Sequence, residues 1–161
     1  MTATRRTLAG LCLAALLAGC LSRAPEEAPF TPPSPQVRIE LRDVLDAPEP
    51  GSIEAADAEG KRYRLAARPL LDTGDVLGAR KETDIHGMPV VLLRFSADAG
   101  ARLQRDTQSR LGRQVAFVVD GQVVMAPNVA GPFGDSVMIT GLAGQEGQQA
   151  LFERITRSGA H

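Results

Sequence analysis

A chain of 161 residues, 43% hydrophobic and 23% charged, has room for one ordinary domain plus tails, or two very small ones. That balance excludes wholesale disorder and a multi-span membrane protein. With 18 Lys and Arg against 19 Asp and Glu there is no global basic field for nucleic acid, and two Cys and two His leave little scope for a zinc or disulfide framework.

Residues 1–19 read as a lipoprotein signal peptide. Arg5 and Arg6 form a short positive region, and an apolar run from Leu8 to Ala18 follows. That run is about 11 residues long, where a membrane-crossing helix needs roughly 20. Leu17-Ala18-Gly19-Cys20 closes the segment in the pattern of a lipobox, with small residues that fit a signal peptidase ahead of a thiol that receives diacylglycerol. Cys20 is therefore the expected lipidation site and the expected link to the membrane, while Cys12 leaves with the signal. Ser22 stands where inner-membrane lipoproteins commonly carry Asp, so the expected address is the outer membrane, with the domain facing the periplasm. Residues 20–36 form the expected tether. It holds Pro25, Pro29, Pro32, Pro33 and Pro35 and favours an extended spacer of up to about 3.1 Å per residue.

Residues 37–69 open the folded part. Val37 to Val44 alternates apolar and polar residues, the pattern of a half-buried strand. Ala47 to Glu59, rich in Pro, Gly and acids, reads as a loop, and Lys61 to Ala66 as a second strand with Arg62 and Arg64 opposite Tyr63 and Leu65. Asp72-Thr73-Gly74-Asp75 supplies capping residues, so a short helix is expected to start there and run into Val76 and Leu77. Met88 to Phe95 is apolar enough for a central strand. Ser96 to Leu111 reads as a helix with Gly100, Leu103, Thr107 and Leu111 on one stripe, and Gly112 is placed for a left-handed cap. Val115–Val119 and Gln122–Met125 flank Asp120-Gly121, a dipeptide suited to a type I′ hairpin turn. Ser136 to Thr140 is one more strand, and Gly144 to Ser158 a closing helix with Leu151, Phe152 and Ile155 buried. This order predicts an α+β fold, a mixed or antiparallel sheet with helices packed on one face.

No constellation of catalytic groups stands out. His86 lies in a loop with Asp84 nearby but no glycine-flanked serine, and Gly131-Pro132-Phe133-Gly134 lacks the Lys-Ser/Thr of a phosphate loop. Neither a metal site nor a cofactor is expected. Two weaker features bear on binding. Arg102, Arg105, Arg110 and Arg113 form a charged helix stripe, read as a solvated face or as a dock for an acidic partner. Met88, Met125, Pro127 and Phe133 are apolar groups near loops that offer an adaptable greasy contact.

From about Leu70 to Ala160 the chain resembles the head subdomain of the first periplasmic domain of SecD, an accessory subunit of bacterial protein export. The stretches that carry the resemblance stand in order: Leu70 to Ala79, Pro89-Val90-Val91 with Arg94-Phe95, Ala99-Gly100-Ala101, Thr107 and Gly112 to Gly121. Val123 to Pro127, Ile139-Thr140-Gly141 and Arg157 to Ala160 complete the series. The six membrane-spanning helices of SecD have no counterpart here, so the resemblance identifies a module and not the proton-driven motor. It implies a non-enzymatic domain that engages polypeptide, and an open sheet edge offers a physical route through β-augmentation. The alternative is an adaptor that docks one folded envelope partner through the Arg102–Arg113 face.

Overall fold

Ile39 and Leu41, two apart and wholly buried, set the inward face of β1 (Ile39–Asp43). The computed structural model describes residues 28–157, which form an α+β fold with two sheets and two helices. The lipobox, Cys20 and the signal segment lie outside the described residues. Among the described residues no helix is long and apolar enough to cross a membrane.

The first sheet is mixed and contains β1, β2 (Ile53–Ala56), β3 (Arg62–Leu65), β6 (Val115–Val119) and β7 (Gln122–Met125), in the order β1-β6-β7-β2-β3. β6 and β7 pair antiparallel across Asp120 and Gly121, whose φ angles of 49° and 80° are the left-handed values a type I′ turn demands. The sheet curls until its outermost strands meet. Leu45 N–H donates to Arg64 O at 2.8 Å, and Ala66 N–H donates to Asp43 O at 2.9 Å, around the Val44–Leu65 bridge. Inside this small barrel lie Leu65, Ala116, Val118 and Val123, with Tyr63 and Ala55 against them.

The second sheet is antiparallel: β4 (Val76–Thr83), β5 (Pro89–Phe95) and β8 (Ser136–Ile139), with β5 in the centre. The main core lies between the two sheets and the helices α1 (Ala97–Gln108) and α2 (Gly144–Thr156). It contains Leu41, Phe117, Leu93, Phe95, Leu103, Leu151 and Ile155. α2 is fixed to the second sheet by Gln148, whose amide nitrogen donates to Glu82 O at 2.6 Å and to Val90 O at 2.7 Å.

The chain departs from sequence expectation in four places. The helix expected after Asp72 is a single 3-10 turn, Thr73–Asp75, that leads directly into β4. The capping signals are genuine, because Asp72 Oδ1 accepts from Gly74 N–H and Asp75 Oδ2 accepts from Asp72 N–H. A cap specifies only a first turn, however, and pairing with β5 takes the next eight residues. Part of the loop expected over 47–59 is β2, which pairs residue for residue with β3. Leu111 lies beyond the end of α1 and is exposed, so the helix buries Ala99, Gly100, Leu103 and Thr107 instead.

The fourth departure concerns the segment expected as a spacer, because its C-terminal part, residues 28–36, lies against the domain. Thr31 and Ala79 exchange backbone hydrogen bonds at 2.8 and 2.9 Å. Phe30 lies beneath the guanidiniums of Arg80 and Arg94, 4.6 and 5.5 Å from the ring centre. Ser34 is buried and donates its N–H to Ile155 O at the end of α2. Gly78 permits the approach, since a Cβ there would stand 2.9 Å from Thr31 O.

Candidate functional site: a strand edge beside an apolar groove

β7 has a full partner in β6 on one side only. On its other side the parallel bridge between Ala56 and Gln122 is the sole pairing among the described residues. Beyond that bridge the outer edge of β7 has no strand neighbour among the described residues, a position where another chain can add. Facing this edge is α2, which presents Gly147 and Ala150, with Ala143 just before its first turn. These small residues leave a groove of about 440 Å³ between strand and helix, floored by Val124, Met125, Leu142 and Leu151.

The groove is mainly apolar, with charged groups also among its lining. Asp57 and Glu59, from the β2–β3 turn, stand on one margin, where Asp57 accepts a hydrogen bond from Tyr63 Oη at 3.1 Å. On another margin Arg154 donates to Gln122 Oε1 at 2.7 Å and to Val119 O at 3.4 Å. No carboxylate among the described residues pairs with it, and its Nε is buried without a hydrogen-bond partner. Burial pulls the Arg154 guanidinium below its ordinary value, opposed by the nearby Asp120 carboxylate.

The residues singled out from the sequence separate into three groups. Met125 lines the groove and its sulfur accepts a 3.6 Å hydrogen bond from Thr140 Oγ1. Pro127 lies two residues past the end of β7, and its carbonyl accepts from Val115 N–H. Phe133 turns inward instead, stacking on Phe117 with ring centres 6.4 Å apart, while its N–H donates to Thr107 Oγ1. Of the helix arginines, Arg102 donates to both oxygens of Asp75 at 2.8 Å, and this bond raises its pKa above the ordinary guanidinium value. Arg110 donates from Nε to both oxygens of Asp43, and Arg113 approaches the same carboxylate at 3.9 Å. Arg105 is exposed and has no ion-pair partner among the described residues.

Gln122, Val124, Leu142, Gly147 and Arg154 were not anticipated. The only sequence signal for them was the small-residue spacing in α2, which takes on meaning once β7 is known to face it. His86 is exposed at the tip of the β4–β5 hairpin, and among the described residues no three His, Cys, Asp or Glu side chains are gathered to hold a metal.

Comparison with known proteins agrees with this architecture. The chain is 29% identical to the protein translocase subunit SecD of Acidaminococcus fermentans over 107 residues, covering 66% of this chain and 26% of the relative. It is 36% identical to SecD of Rhodobacter capsulatus over 88 residues, covering 53% of this chain and 16% of that one. The translocase subunit SecDF of Thermus thermophilus is 31% identical over 93 residues, covering 57% and 12%. The chain thus matches at most about a quarter of the length of these relatives.

Two solved structures share the fold at 22% identity. One is of SecDF as a membrane component that enhances protein export, with a TM-score of 0.55 over 78% of this chain and 69% of that one. The other is SecDF in its super-membrane-facing form, with a TM-score of 0.58 over 76% of this chain and 19% of that one. The family model for the SecDF P1 head subdomain matches residues 51–160, which include β2 to β8 and both helices, and the chain belongs to that family.

Proposed function

We propose that this is a lipid-anchored, non-enzymatic envelope protein whose head domain binds extended polypeptide along the free edge of β7. The observation that carries the reading is the coincidence of an unpaired strand edge with an apolar groove beside it. A strand added there gains main-chain hydrogen bonds from β7 and places alternate side chains against Val124, Met125 and Leu142. The three residues from Val123 to Met125 accommodate a segment of about 10 Å at the usual strand rise. Membership in a family associated with protein export makes exported chains, not yet folded, the natural ligands. The arginine face of α1 supports the adaptor reading less well, because Arg102 and Arg110 already hold Asp75 and Asp43.

The test uses the full chain and a synthetic peptide of about ten residues with alternating valine and serine, a pattern made for strand addition. Amide exchange at Ala126, the next outward-facing amide along this edge, should slow on binding. Gly147→Leu should abolish the effect by filling the groove, and it favours the helix in which it sits. Because the contact is apolar and main-chain, affinity should change little as salt is raised. Protection confined to α1, and lost in high salt, would overturn the groove in favour of the arginine face.

A further inference from the structure

The β4–β5 hairpin ends in an unusual surface. Ile85 is 95% exposed and Met88 54% exposed, three residues apart in an otherwise polar turn. The turn is built firmly. Asp84 Oδ1 accepts from His86 N–H and from Met88 N–H, both at 2.8 Å, while Gly87 N–H donates to Asp84 O and Asp84 N–H donates to Met88 O. Four of the five amides from Asp84 to Met88 are thereby satisfied within the turn. Amides already bonded within the turn need not be stripped of water when Ile85 and Met88 enter a lipid interface, while the Asp84 carboxylate stays at the polar headgroup level.

The docked segment of residues 28–36 supplies the direction. Thr31 pairs antiparallel with Ala79, so the chain running back toward its N-terminus follows β4 toward that same turn. Arg80 holds it there by donating to Ala28 O at 3.0 Å. Between Ala28 and Cys20 lie eight peptide steps, which span at most about 29 Å when fully extended. From Ala79 to Ile85 the hairpin itself extends about 20 Å in the same direction.

From this juxtaposition of anchor exit and apolar tip we propose that the Asp84–Met88 turn is a membrane contact, with Ile85 and Met88 seated in the lipid interface of the leaflet that holds the anchor. The inference rests on the lipid-anchored reading of Cys20. A permanent anchor removes the translational cost of the encounter, so two apolar side chains, too few to hold a free protein on a bilayer, suffice to orient a tethered one. The head then stands on the membrane by a fixed corner rather than swinging on a free spacer.

The chain contains no Trp, so Ile85→Trp introduces a single fluorophore at a position too exposed to disturb folding. Leu77→Trp, at the opposite end of β4 and 56% exposed, is the control. The full chain is reconstituted into vesicles of phosphatidylethanolamine and phosphatidylglycerol, with and without brominated acyl chains. The emission of the residue-85 variant should shift to the blue by about 10 nm and be quenched roughly two-fold by bromine, as for a side chain in the interface. The residue-77 variant should show neither change. Equal, water-like emission from both would overturn the contact.

Flotation of the same samples tests the anchor separately. A chain left in the aqueous fraction refutes acylation of Cys20. Its thiol is then coupled to a maleimide-headgroup lipid in a Cys12→Ser background, and the same comparison decides the contact by itself.

Discussion

Arg110 and Arg154 are both largely covered guanidiniums, but only one has a carboxylate. Arg110 and Asp43 are 2.9 Å apart, with side chains 19% and 11% exposed, at the point where the barrel closes. Asp43→Ala should cost about 2 kcal/mol by leaving that cation half-buried and unmatched, read as a lower urea midpoint at unchanged slope. Glu40 supplies a pH-dependent counterpart. Its hydrogen bonds from Arg42, at 2.8 and 3.0 Å, hold its carboxyl below the ordinary value against the opposing effect of burial. A depressed acid stabilises the fold above its unfolded pKa, and that contribution is lost as pH falls through the lower folded value. Glu40→Gln should therefore be less stable than the natural chain at neutral pH, and the two denaturation curves should converge in acid.

At the scale of elements, two glycines show how closely the parts approach. A Cβ on Gly100 would stand 2.9 Å from Asp135 Cα, where α1 crosses the segment leading into β8. Gly100→Ala should therefore lower the melting temperature, with overpacking of about 1–3 kcal/mol outweighing a helix-propensity gain of about 1 kcal/mol. Gly78→Ala strikes backbone and Phe30 instead, and should speed amide exchange at Thr31 and Ala79 while leaving β5 protected. What was legible in the sequence follows the same division between local and distant causes. β1 and both helices carry their own periodicity, and β5 and the strands of the Asp120-Gly121 hairpin are marked by apolar runs and the turn between them. β2 and β4 carry neither signal: β2 has only four residues, and β4 hides its alternation behind Gly78, Arg80 and Lys81. The groove was legible only in Met125, because its two walls come from elements that nothing in the sequence sets side by side.

For the whole molecule, the shared strands predict cooperativity. β6 gives Phe117 to the main core and Ala116 and Val118 to the barrel interior, so neither cluster can loosen alone. Tyr63, the single tyrosine, reports on the barrel, while far-ultraviolet dichroism reports mainly on the helices. Their urea transitions should coincide; a barrel signal lost first would mean that the two clusters unfold separately. Mechanics follows from the bond between Ser34 N–H and Ile155 O. That bond joins the docked segment of residues 28–36 to the end of α2, the helix that walls the groove. If a chain gripped along β7 is drawn away from the bilayer while lipid holds the other end, tension passes through Ser34 and Thr31 into the wall of the grip. With so few hydrogen bonds against the paired strands of either sheet, the docked segment would, on the proposed function, part first and act as a mechanical fuse.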